Sequence, residues 1–247
     1  MPNWIFNTLE LVGPKEKINE FYANCQRQWK NQTDRQNKAI DWFDGFLELP
    51  QEMPNDPELD LKPVSTDFVN DKPELRPDWY QFNDNWREYN PKYLGIKWEV
   101  NSLTQEPIGP LAINDQQSEF VVDFRTPWSP LNQNALQTLA AKYNARLVLS
   151  SYDWDNNQSY CVQVATKDYY DYADEFFAME DYPEAPPELE DENCPQAIID
   201  QYDELYDQWR ADKEAELQAE LNELQVKLMT KFKHHQNKKH QNHSRSK

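Results

Sequence analysis

Histidine is missing from the first 233 residues of this 247-residue chain. The four it has, His234, His235, His240 and His243, all fall in the last fourteen. Glycine is nearly as scarce, at 13, 45, 95 and 109, and Cys25, Cys161 and Cys194 are far apart in sequence. Each shortage removes a class of chemistry. Triads and general acid–base centres lean on histidine, phosphate cradles on glycine, and structural zinc on paired cysteine. No cofactor motif and no metal site is legible, and adjacent His234 and His235 on a polar tail suit only adventitious metal. Nor does any apolar run approach the ~18 residues that a membrane span requires.

Positive charge is short as well: 25 Lys and Arg stand against 44 Asp and Glu, a net −19. The imbalance is uneven. From Lys231 onward there are six bases (Lys231, Lys233, Lys238, Lys239, Arg245, Lys247) and no acid, so the preceding body carries about −25. A body that acidic repels nucleic acid and anionic membrane, and its natural partners are basic surfaces. The opening Met-Pro-Asn-Trp lacks the pattern of a signal peptide, and the odd, dispersed cysteines suit reduced thiols. Together these predict a cytoplasmic location.

What the chain has in plenty is aromatic side chains, 13% of residues with nine Trp, and these can fill a core that is poor in aliphatics. Residues 3–12 read as a strand stopped by Gly13-Pro14, and Ile18, Phe21, Tyr22, Cys25 and Trp29 mark a helix over 14–29. A short helix at 35–43 is followed by a Pro-rich loop at 50–77. Trp79, Phe82, Trp86 and Tyr89 then form an aromatic helical stripe within 78–90. Strands at 95–100 and 119–125, a helix at 131–143 capped by Ser129, and strands at 146–154 and 159–166 complete the first part. A turn at Asp155-Asn156-Asn157 joins the last two. Beyond Lys167 the character changes: residues 168–209 hold fifteen acids and no Lys or Arg. A long helix is expected at 196–233, its apolar spacing slipping near Asp212, and then a disordered basic tail at 234–247.

The order of these elements predicts an α+β ferredoxin-like sandwich over 1–166, with an inserted aromatic helix and Pro-rich loop. An acidic connector at 167–195 and the C-terminal helix would follow. Three Trp-centred segments resemble a known family: Met1-Pro-Asn-Trp-Ile-Phe-Asn-Thr-Leu9 with Gly13, Trp86 through Gly95-Ile-Lys-Trp98, and Phe124-Arg-Thr-Pro-Trp-Ser-Pro130. They resemble the YubB-like ferredoxin-fold proteins of phages and conjugative plasmids. Departures are the stretched middle segment, Ile96 for Thr, Pro127 for Ala and Leu131 for a second Pro. The resemblance implies a mobile-element cytoplasmic protein, and it supplies no activity.

Three constellations are candidate sites. Asn3, Trp4, Lys97, Trp98, Thr126, Trp128 and Ser129 could line a Trp-walled pocket, although large aromatics in a small core are mostly packing. Asp168, Asp171, Asp174, Glu175, Glu180, Asp181 and Glu184 form a candidate acidic docking surface, with solvated connector as the bland alternative. Ile198, Tyr202, Leu205, Trp209, Leu217, Leu221, Leu224 and Leu228 form a candidate helix interface for a homodimer. The favoured expectation is a non-enzymatic protein that binds a basic host factor through an acidic, nucleic-acid-mimicking surface, as in counter-defence or host takeover. A small ligand-binding module or enzyme, and a structural protein oligomerising through its helix, remain the alternatives.

Overall fold

The computed structural model describes residues 4–33, 102–127, 129–153, 159–176, 183, 186 and 194–245. In chain order these give β1 (Trp4–Pro14), α1 (Lys15–Thr33), β2 (Ser102–Leu103), β3 (Leu111–Ala112) and β4 (Gln117–Pro127). Then follow α2 (Gln133–Tyr143), β5 (Arg146–Asp153), β6 (Ser159–Thr166), β7 (Tyr169–Phe176) and α3 (Gln196–Arg245). The sequence-predicted elements at 35–43, 50–77, 78–90, 95–100 and 155–157 lie outside the described residues.

The strands form one antiparallel sheet in the order β2-β4-β1-β5-β6-β7, with β3 pairing the far end of β4. Because β1 is antiparallel to both β4 and β5, β4 runs parallel to β5 with β1 between them. Likewise β1 runs parallel to β2 with β4 between. Two such split β-α-β units, joined through α1 and α2, make the ferredoxin-like α+β topology that the order of elements predicted. β6 and β7 extend it on the β5 side.

Period-2 alternation assigns the faces. Leu9 and Leu11 of β1, Phe120, Val122 and Phe124 of β4, and Leu147 and Leu149 of β5 point to one side. There they pack with Ile18, Phe21 and Cys25 of α1 and with Leu136, Leu139 and Tyr143 of α2. Phe21 meets Phe120 and Tyr143 edge-on at 5.8 and 5.0 Å, the geometry ring quadrupoles favour. The α2 N-cap is Asn132, whose Oδ1 accepts the Ala135 N–H at 3.0 Å; Ser129, expected in that role, is not the cap. β1 does not stop at Gly13 but runs on through Pro14, paired with Ser118 and Gln117. Gly13 is required there by proximity: a Cβ would lie 3.0 Å from that of Ala145, after the left-handed Asn144.

The opposite face of the sheet has a second core. Val148, Tyr160, Val162 and Val164 pack against Trp209, Leu217, Leu221, Leu224, Leu228 and Phe232 of α3. The long helix is therefore a third layer of the domain, not an appendage to it. Its apparent slip near Asp212 disappears in three dimensions. The buried positions run 209, 217, 221, 224, 228 and 232, and the place between the first two is taken by the half-buried stem of Lys213, whose side chain is 17% exposed. A lysine stem can cover apolar surface while its ammonium reaches water, here to Glu216 at 2.9 Å. Steps mostly of four are wider than the 3.5-residue repeat of a coiled-coil seam. Gln225 adds a polar link, donating to Glu10 of β1 at 3.1 Å, while Arg146 of β5 holds the other Glu10 oxygen at 2.8 Å.

Two expected boundaries move. The acidic segment after Lys167 opens not as a connector but as β7, paired residue for residue with β6 from Thr166↔Tyr169 to Ser159↔Phe176. Tyr170 drives this, packing against the first core and donating to Gln163 Oε1 at 2.7 Å. At the other end α3 continues to Arg245 through the segment expected to be disordered. No Gly or Pro interrupts 234–245, and extending an established helix costs far less than starting one.

Truncating Leu228, which is fully buried, to Ala is expected to lower stability by about 2–5 kcal/mol, measured by urea unfolding. Leu205→Ala, at an exposed position of the same helix, is expected to change it by less than about 0.5 kcal/mol.

Candidate functional site

Toward the starting end of β1 the inward face of the sheet becomes polar. Asn7 of β1, Thr126 of β4, and Ser151 and Asp153 of β5 are all buried. Asn7 is the hub. Its Nδ2 donates to Thr126 Oγ1 at 2.9 Å and to the Ile5 carbonyl at 3.0 Å, and its Oδ1 accepts from Ser151 Oγ at 2.7 Å. Thr126 Oγ1 in turn donates a hydrogen bond to the Ser129 carbonyl at 2.7 Å. Buried polar groups satisfied in this way fix register and hold strand ends together.

Of the predicted Trp-walled pocket, half-buried Trp4 stands opposite Pro127 in the β1–β4 register. Thr126, one position along and opposite Ile5, is buried on the other face of the sheet, so the two do not share a pocket wall; Ser129 follows in the turn. Thr126 is spent on structural hydrogen bonds. Asn3, Lys97, Trp98 and Trp128 lie outside the described residues. Further along the same face, Gln163 donates to the Leu131 carbonyl at 2.9 Å. Burial pushes the Cys161 thiol up to about 11, with Asp174 adding and a Ser151 hydrogen bond opposing. Burial likewise raises Cys25. A nucleophilic cysteine needs the reverse shift.

The acidic residues take a different place. Asp171, Asp174 and Glu175 are on β7 and Asp168 is in the turn before it; Glu180, Asp181 and Glu184 lie outside the described residues. On the α3 side, Tyr160 gathers carboxylates from two elements. Its hydroxyl is pushed up to about 12, first by burial, then by a hydrogen bond to Glu220 and by the charges of Glu220, Glu175 and Glu223. The β7 and α3 acids thus meet in one patch. Further along, Glu214 and Asp123 both raise Tyr152, after burial, while Arg210 and Arg125 oppose them.

Along α3 the charges are segregated. From Asp200 to Glu223 there are nine acids and two bases, and from Leu224 to Arg245 six bases and no acid. Lys231 reaches back to Asp171 at 3.4 Å, and Tyr169 contacts the rings of Phe232 and His235. The start of the tail therefore screens the first β7 acid, while Asp174 and Glu175 stay exposed. Of the predicted helix interface, Trp209, Leu217, Leu221, Leu224 and Leu228 are spent on the chain's own sheet. Ile198 and Tyr202 are half-buried and Leu205 is exposed.

Sequence reasoning missed the Asn7 network, although Asn7 and Ser151 occupy inward positions of otherwise apolar alternations. It also missed an apolar patch at Ile108, Leu111, Ile113 and Val121 beside a cleft of about 250 Å³. Among the described residues no cluster of His, Cys, Asp and Glu could hold a metal, and no helix is long and apolar enough to cross a membrane. The polar seam around Asn7 is satisfied by its own hydrogen bonds. No family model, curated protein or solved structure matches the chain.

Two outcomes test the buried groups. Asn7→Asp places an acceptor against Thr126 and the Ile5 carbonyl, and burial favours its neutral form, raising its folded pKa above ~3.9. Stability of that variant is fully present below pH ~4 and is lost as pH rises through the folded value. Urea midpoints at pH 4 and 7, each against the unsubstituted chain, are expected to show the larger deficit at pH 7. Tyr160 and Tyr170, both pushed up to about 12, keep their protons in the folded state above pH ~10, where the unfolded chain loses them. Stability is expected to fall above pH 10, with late-ionising tyrosines in the 295 nm absorbance titration.

Proposed function

We propose that this chain is a non-enzymatic protein that binds a basic surface of a host factor through the acidic patch shared by β7 and α3. The observation that carries the reading is the meeting of Glu175, Glu220 and Glu223 around Tyr160, which joins carboxylates of two separate elements into one field. On the opposite face of the same edge strand, Tyr172 and Phe176 are 57% and 76% exposed and offer contact area that a purely solvating acidic surface lacks. Following the YubB-like resemblance, the setting we propose is a phage or plasmid protein in a bacterial cytoplasm, where such a surface competes with nucleic acid for its binder. Complementary charge of this kind chiefly raises the rate and selectivity of encounter.

The test is retention of a basic, nucleic-acid-binding host fraction on the immobilised protein, at low and at high salt. Retention is expected to fall as salt shortens the Debye length from about 10 Å at 0.1 M to 3 Å at 1 M. The triple variant Glu175→Lys, Glu220→Lys, Glu223→Lys is expected to weaken it roughly tenfold, three contacts of ~0.5 kcal/mol each. Retention that ignores both salt and charge reversal rules the reading out.

A further inference from the structure

The two ends of the sheet are not alike. On the β4 side the rim is broken: β2 and β3 are two residues each and pair different stretches of β4. On the other side β7 is eight residues long and in unbroken register with β6, and among the described residues it pairs with nothing else. A long regular edge presents a row of backbone N–H and C=O groups, which proteins ordinarily blunt with Pro, Lys, a bulge or very short strands. β7 has none of these devices. What it carries is Asp171, Asp174 and Glu175, with Tyr172 and Phe176 exposed on the face opposite α3.

Carboxylates on an edge act selectively. A second β7 laid alongside would set like charges opposite one another, which destabilises a strand pair. An incoming strand with Lys or Arg at the alternate positions that share the α3 face turns Asp171 and Glu175 into attractive contacts. Its apolar side chains, on the other parity, would lie over Tyr172 and Phe176. The side chains on the α3 face would meet Glu175 and the partly screened Asp171.

We infer that β7 is a docking edge for an extended basic segment of a partner, which adds to the sheet as a further antiparallel or parallel strand. This rests on the acidic-patch reading and specifies its mode: backbone hydrogen bonds supply the affinity, and alternate side chains the selectivity.

The experiment uses the full chain and a synthetic eight-residue peptide of alternating Lys and Val. Its companions are the same peptide N-methylated at alternate residues and a Glu-Val counterpart. Amide hydrogen exchange of the free protein is expected to show β6 protected and the outward amides of β7 exchanging fast; the Lys-Val peptide is expected to slow them. N-methylation removes several backbone donors, each worth about 1 kcal/mol, and is expected to weaken binding by more than about tenfold. The Glu-Val peptide is expected not to bind. Glu175→Lys is expected to weaken the Lys-Val peptide by roughly 2- to 5-fold, as for an exposed charge contact. Outward β7 amides already protected in the free chain would overturn the proposal, as would equal binding of the N-methylated peptide or a dimer that the peptide competes away. Salt-sensitive retention of the basic host fraction, lost on reversing Glu175, Glu220 and Glu223 but with N-methylated peptide binding unimpaired, would overturn the edge mode alone.

Discussion

The two-sided burial of β6 organises this protein. Gln163 and Ala165 face α2, while Tyr160, Val162 and Val164 face the other way; these five of the eight β6 residues are buried and the other three half-buried. A strand in that position needs cover on both faces, and the chain supplies the second cover with a helix that begins twenty residues after β7 ends. Fully burying one Leu, Val or Phe side chain contributes about 1.5–3 kcal/mol before entropic losses. The six apolar side chains that α3 lays on the sheet therefore make it part of the fold. A dimer seam built from the same leucines would have to strip that cover away.

From this requirement the electrostatics follow. Because the apolar stripe fixes which side of α3 meets the sheet, it also fixes where its charges go. The acids of its first half come to lie beside the end of β7, and the first bases of its second half come to lie beside the start of β7. Lys231 reaches Asp171 for this reason, and Tyr160 lies among Glu175, Glu220 and Glu223. Acidic residues that the sequence spreads over many positions become one field because a hydrophobic contact has set the register.

Much of the ferredoxin-like core was legible because alternation is strict where one face is buried. The strands that hold Leu9 and Leu11, Phe120 to Phe124, and Leu147 and Leu149 fall where the spacing predicted strands. The errors have physical causes. β7 hid behind its charge: an edge strand needs few apolar residues, and Tyr170 alone anchors its inner face. The slip at Asp212 hid because a lysine stem does the packing of an aliphatic residue. The tail looked disordered by composition, yet it continues a helix already nucleated and packed. Ser129 looked like a cap because it is the first small hydroxyl after Pro127, whereas the backbone turns into helix only at Asn132. The acidic docking surface was visible as a run of residues, but its meeting with α3 was not, since that depends on tertiary register.

The charge order of α3 has a consequence for how the molecule approaches anything. Fifty residues of helix extend about 75 Å at 1.5 Å per residue, with carboxylates gathered in one half and ammonium groups in the other. Such a rod is a large fixed dipole, aligned with a domain that cannot rotate independently of it because Leu217 to Phe232 pin the two together. In the field of a charged neighbour the whole particle experiences a torque. It would turn its acidic half toward a basic body before any surfaces touch, so part of the orientational search is complete at distances where shape is not yet felt.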